Sequence, residues 1–188
     1  MARVHILGAP GSGTTTLGAA LARERGWPLL DADVFYWDQT DPPFQRARDP
    51  AVRDAMFQAQ LEGRRDWVFA GSALGWARPW VPLYELVVFL RLDPAIRMAR
   101  LRAREVARYG ERIAPGGDMH AASAEFLEWA ARYDMAGHEQ RSLVAQEAWL
   151  DTLRVPVLRL DSAAPVPALL RSVLNALPRC ARGQGSGA

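Results

Sequence analysis

Gly8-Ala9-Pro10-Gly11-Ser12-Gly13-Thr14-Thr15 decides the reading of this chain. An apolar run from Arg3 to Leu7 precedes it, with the length and composition of a short strand. Thr14 to Arg25 follows, where Leu17, Leu21 and several alanines recur at helical spacing and Gly26 supplies a stop. A glycine-rich turn between a strand and a helix is the context required of the phosphate-binding pattern G-x-x-x-x-G-K-[ST]. Gly8 and Gly13 match its two glycines and Thr15 its closing hydroxyl. Glycines let successive backbone N–H groups turn inward on an anion, and a helix N-terminus adds free amides and a positive dipole end. Gly8, Gly11, Ser12, Gly13, Thr14, Thr15 and Thr16 are therefore the candidate nucleotide-binding residues, with the Thr15 hydroxyl suited to Mg²⁺.

The lysine position of that pattern holds Thr14, and the chain has no lysine anywhere: its 23 basic residues are all arginine, against 21 acidic ones, for a net charge of +2. Codon bias explains a preference for arginine but would have placed arginine, not threonine, at position 14. A hydrogen bond to a charged group is worth ~1.5–3 kcal/mol, so either the missing charge comes from elsewhere or nucleotide binds without fast catalysis. The stretch from Pro94 to about Arg108 offers the replacement. Arg97, Arg100, Arg104 and Arg108 share one helical face, and Ile96, Ala99 and Ala103 are expected on the buried side. Like charges at this spacing repel by roughly 0.2–0.5 kcal/mol per pair, so a face that repeats them suits an anion.

The rest of the chain alternates strands and helices, which argues for an α/β domain with a parallel sheet covered on both faces. Further strands are expected through Leu29 to Asp31, at Trp67 to Ala70, Leu86 to Leu92 and Val155 to Leu160. Further helices are expected at Ala51 to Glu62, about His120 to Met135, Glu139 to Thr152 and Val166 to Leu177. Glu111 to Met119 reads as a mobile loop. Residues 1–177 are expected to form one domain and 178–188 a frayed tail. With 188 residues, 49% of them hydrophobic, the chain can build a full core. Its longest apolar run, Leu86 to Leu90, is far short of the ~20 residues of a membrane span. The single cysteine, Cys180, allows no internal disulfide. The chain opens on a strand without a leader-like segment, and the expectation is a cytoplasmic protein. A nucleic-acid interface is disfavoured, because outside the arginine-rich helix the charge turns negative and no aromatic platform is interleaved with it.

Asp31-Ala32-Asp33 is read as the end of the second strand. Ligands of doubly wound sheets bind beyond the carboxyl ends of strands, where two carboxylates can hold a hydrated Mg²⁺ and orient or deprotonate a hydroxyl. Trp37, Trp76 and Trp80, with Arg78, fall in loops after strand ends, where aromatics can stack on a base or sugar face or fill the core beneath. His5 reads as a buried strand histidine.

The loop from Gly8 to Thr15, the Asp31-x-Asp33 pair, Gly71-Ser72 and Leu90-x-x-Asp93-Pro94 followed by arginines together resemble the P-loop small-molecule kinases of the shikimate, adenylate and gluconate kinase group. Asp31-Ala-Asp-Val-Phe-Tyr-Trp37 and Trp67-Val-Phe-Ala-Gly71-Ser72 look closer still to the adenylate kinase-related topology modulation proteins. The resemblance spans Arg3 to about Leu177 and departs from the family at Thr14. It implies a three-layer P-loop NTPase fold, a five-stranded parallel sheet in the order 2-3-1-4-5, and a helical lid at about 109–120. It implies ATP and Mg²⁺, with Thr15 and Asp31 at the metal and Asp33 on the acceptor. Arg104, Arg108 and Arg112 loosely match its charge-stabilising lid arginines, and Arg132 looks like its post-lid arginine. Asp33, Trp37, Gly71, Ser72 and Arg78 are the candidate acceptor-binding residues. The activity implied is phosphoryl transfer from ATP to a small-molecule acceptor, a nucleotide or a small hydroxyl- or carboxyl-bearing metabolite. The alternative is a nucleotide-binding regulatory protein with little or no kinase activity.

Overall fold

The strand-forming runs are short and unbroken because the sheet they build is covered on both faces. The computed structural model describes residues 1–177; the expected tail at 178–188, with Cys180, lies outside the described residues. Five strands, β1 (Arg3–Gly8), β2 (Leu29–Asp31), β3 (Trp67–Ala70), β4 (Leu86–Arg91) and β5 (Val157–Asp161), pair in parallel in the order β2-β3-β1-β4-β5. The helices are α1 (Thr14–Arg25), α2 (Ala32–Tyr36), α3 (Pro50–Leu61), α4 (Pro94–Tyr109), α5 (His120–Ala131), α6 (Leu143–Asp151) and α7 (Val166–Ala176). Leu17 and Leu21 of α1 and Leu169 and Val173 of α7 cover Val4, Ile6, Val68 and Val88 on one face. On the other, Phe57 of α3 and Leu150 of α6 join Trp80 against Leu7, Phe69 and Phe89.

Local chemistry sets the boundaries. Asp49 and Asp93 each accept two backbone N–H groups from the first turn of the helix that follows, and each is followed by proline. A proline at the first helical position lacks only an N–H that would have no partner there. Gly26 closes α1 in the left-handed region, at φ 65°.

Four expectations are corrected. The second strand stops at Asp31, because its carboxylate Oδ1 accepts the Asp33 N–H at 2.9 Å and starts α2 there. Asp33 therefore sits on a helix, not in the strand. The helix expected from Glu139 begins only at Leu143, where the Ser142 hydroxyl caps the Ala145 N–H at 3.0 Å. Glu111 to Met119 is not loop throughout: a 3-10 turn spans Gly110–Ile113, and the Arg112 guanidinium donates to Asp118 at 2.7 Å. Helix α4 is rotated from the expected pose: Ile96, Ala99 and Ala103 are exposed, while Arg97, Met98, Leu101, Glu105 and Tyr109 are buried. Arg97 is fully buried because its guanidinium donates to Asp134 at 2.7 Å and to the Ala130 carbonyl at 2.9 Å. That leaves Arg100, Arg104 and Arg108 for the cleft.

Candidate active site

Strand β1 delivers Gly8 into the loop at a place with no room for a side chain. A Cβ there would lie 2.5 Å from the Leu90 carbonyl oxygen and 2.6 Å from Ser12 Oγ. Gly13 precedes α1 with φ 90°, a conformation that L-residues other than glycine enter only with strain. No side chain caps α1 and its first turn carries no acidic residue. Its amides and positive dipole end are thus left for an anion. Among the described residues the Ser12 hydroxyl, buried in the loop, has no hydrogen-bond partner.

Thr15 Oγ1 donates to Asp31 Oδ2 at 3.2 Å. One carboxylate therefore caps α2 with one oxygen and meets the loop's hydroxyl with the other. A hydroxyl and a carboxylate oxygen side by side at the end of a phosphate-binding loop form an all-oxygen donor set, which fits Mg²⁺ completed by water and phosphate oxygens. Among the described residues there is no cluster of three or more His, Cys, Asp or Glu that could cage a metal.

These groups line one cleft of about 880 Å³, within the ~300–1,000 Å³ of small-molecule sites. Gly11 to Leu17 form its floor, with Asp31 and Asp33 beside them. Arg100, Arg104 and Arg108 of α4 line it, as does the turn Ser162–Val166 after β5. Val34, Trp37, Pro43 and Phe44 line the part nearest Asp33. Phe44 has φ 65°, a strained backbone for an aromatic residue. It is held by contacts to the end of α4: the Arg108 guanidinium lies 4.5 Å from its ring centre, and Tyr109 donates to the Pro43 carbonyl at 3.3 Å.

The electrostatics centre on Asp33. Desolvation in the cleft raises its pKa, and neighbouring Asp31 adds to the rise; Arg141, Arg104 and Arg108 pull the other way. Arg104 and Arg141 are both lowered, mainly by burial. Among the described residues neither guanidinium has a carboxylate within 4.0 Å. Each sits over an aromatic ring, Arg104 with its guanidinium carbon 5.7 Å from the Phe126 ring centre and Arg141 with its own 4.8 Å from that of Trp129. A cation held by a ring's π-face rather than by a carboxylate keeps its charge for an anion.

The structure thus gathers Gly11 to Thr16, Asp31, Asp33, Trp37 and Arg104 on one cleft, with Gly8 at the root of its loop. Other candidates lie apart. Arg112 is exposed and held by Asp41 and Asp118, both at 2.7 Å. Arg78 and Arg132 are exposed and do not line the cleft. Gly71 and Ser72 lie behind Ala32, where a Cβ on Gly71 would meet Ala32 Cβ at 2.8 Å. Trp76 and Trp80 pack in the aromatic core with Phe57. Sequence reasoning missed Arg141, Phe44 and the Ser162–Val166 turn. Arg141 carried one faint signal, an arginine directly before a helix-capping serine.

A parallel sheet of this order, with a strand–glycine loop–helix unit facing two carboxylates where the next strand passes into a helix, defines a P-loop small-molecule kinase type of domain. The chain belongs to the AAA domain family AAA_18, which matches residues 4–128. It is 38% identical over 174 residues to the uncharacterized protein YqaC of Bacillus subtilis (strain 168), covering 93% of this chain and 96% of that one. It is 32% identical over 114 residues to a cytidylate kinase of Methanocorpusculum labreanum, covering 55% of this chain and 63% of that one. A shikimate kinase from Bacteroides thetaiotaomicron shares the fold, with a TM-score of 0.56 at 16% identity over 93% of this chain and 97% of that one. Among the described residues no helix is long and apolar enough to cross a membrane.

Proposed function

We propose that this protein is an ATP-dependent phosphotransferase acting on a small acceptor that presents a hydroxyl. The observation that carries this is Asp33, a carboxylate with a raised pKa, lining the same cleft as the phosphate loop and influenced by three arginines. The loop amides and the N-terminus of α1 cradle the donor's phosphates, and Thr15 and Asp31 would hold Mg²⁺. Bound there, the metal would supply neutralisation of phosphate charge. Asp33 accepts the acceptor's hydroxyl proton. Arg104 and Arg108, helped by Arg141, offset the negative charge of the transferring group, the work that Thr14 cannot do in place of lysine. Trp37 and Phe44 flank the acceptor. The test is ADP release measured with Mg·ATP across a panel of hydroxy acids, polyols, nucleosides and nucleotides. Acceptor-dependent turnover supports the reading; ATP binding without turnover on any acceptor overturns the kinase claim.

Thr14 favours a second reading, a nucleotide-binding regulatory protein with weak transfer activity. Thr14→Lys separates the two. A large gain from near-zero turnover supports the regulatory reading, and little change or a loss supports arginines that already supply the charge.

A further inference from the structure

Behind the phosphate loop runs a buried chain of polar contacts that the reading above does not use. Gln146 of α6 is fully buried. Its side-chain amide donates to the Gly8 carbonyl at 3.3 Å and to Ser72 Oγ at 3.1 Å. Its carbonyl accepts from the Tyr133 hydroxyl. Tyr133 lies in the 3-10 turn Arg132–Asp134 that leaves α5, and the Arg97 guanidinium sits 5.2 Å from its ring centre. Arg97 in turn ties α4 to Asp134 and Ala130. A single amide thus joins the end of β1, where the phosphate loop starts, the end of β3, and the turn on the far side of the lid.

Gln146 has few alternatives. A buried amide left unpaired costs about 1–3 kcal/mol, so each of its bonds holds the others in register. The Gly8 carbonyl belongs to a residue packed so closely that a Cβ there would lie 2.5 Å from the Leu90 carbonyl oxygen and 2.6 Å from Ser12 Oγ. We propose that Gln146 is a positioning residue, which fixes the root of the phosphate loop and couples its occupancy to the turn around Tyr133. The proposal rests on the phosphate loop binding nucleotide. Coupling between two sites is reciprocal, so nucleotide in the loop must order that turn, and loosening the turn must weaken nucleotide.

Gln146→Met keeps the volume and flexibility of the side chain and removes its hydrogen bonds. Tyr133→Phe removes only the link to the turn and is the second variant should Gln146→Met not fold. The probe is ADP with Mg²⁺, read by calorimetry and by amide hydrogen exchange at a temperature where each variant is fully folded. In the wild type, ADP is expected to slow exchange about fivefold or more at residues 132–136, and each variant is expected to lose that protection and bind ADP about fivefold more weakly. A merely structural role would lower the melting temperature and leave both readouts unchanged. ADP binding in the wild type without protection of the turn overturns the proposal. So does protection that survives Gln146→Met or, should that variant not fold, Tyr133→Phe. Absence of ADP binding by the wild type overturns the phosphate-loop reading and this inference with it.

Discussion

Acid should unfold this protein through His5, and the effect can be worked from its surroundings. The ring sits on the central strand three residues before Gly8. It is stacked between Phe69 at 4.8 Å and Tyr84 at 4.9 Å, and Nδ1 contacts the Phe69 carbonyl at 3.2 Å. Burial lowers its pKa from 6.5 to about 4, against a smaller opposing effect of that hydrogen bond. The folded state therefore keeps the ring neutral where the unfolded chain has already taken a proton. Its contribution is intact above pH 6.5 and declines as the pH falls toward 4, at about 1.4 kcal/mol per pH unit. Across that window the loss is about 3 kcal/mol, or roughly 6–12 °C in melting temperature for a chain of this size. The perturbation is His5→Phe, which keeps a stacked ring but cannot be protonated. Thermal melts of both proteins from pH 7 to pH 4 would measure it. Asp38 and Asp118, whose carboxyls their arginine partners hold low, lose their contribution on acidification in both proteins alike, so the comparison cancels them. The variant should lose stability more gently with acid; equal slopes for the two proteins would refute the reasoning.

Three further outcomes are expected. Gly8→Ala forces a Cβ against the Leu90 carbonyl; it should destabilise by about 1–3 kcal/mol and remove nucleotide binding, seen by melting and calorimetry. Asp33→Asn should leave ADP affinity within about twofold and lower transfer by ~10²–10⁴. In the wild type the acid limb of the rate profile should lie above the ordinary carboxylate range, because desolvation and Asp31 raise Asp33 and activity falls as the pH drops through that pKa. Arg97→Met and Arg104→Met should act oppositely. The first strands Asp134 and the Ala130 carbonyl, costing about 2–3 kcal/mol of stability in denaturant melts. The second should weaken nucleotide binding with stability nearly unchanged.

The sheet and the loop were legible because their signals are local. Strands of three to six largely apolar residues, aspartates before prolines and glycines at turns lie in contiguous sequence, and the resemblance supplied the strand order. The rotation of α4 was not legible. Arg97 and Glu105 share its inner stripe with Met98 and Leu101, and a charged residue can occupy a buried position only if something distant satisfies it. For Arg97 that is Asp134, and for Glu105 it is the Ser123 hydroxyl at 3.0 Å. Periodicity assigned the alanines inward because they are small and apolar, whereas the paired charges went in. Arg141 escaped for a related reason: it lies in a loop, and only the folded chain brings it toward Asp33. Trp76 and Trp80 were ambiguous between stacking on a ligand and packing, and the aromatic cluster around Phe57 took both.

The two-handed carboxylate of Asp31 makes the halves of the cleft mechanically dependent. The helix bearing Asp33 is suspended from one of its oxygens, while the other faces the floor where phosphates would rest. An ion drawn to the second oxygen would pull against the mooring of the first, so occupancy beside the loop and the tilt of the short helix bearing Asp33 share one carboxylate.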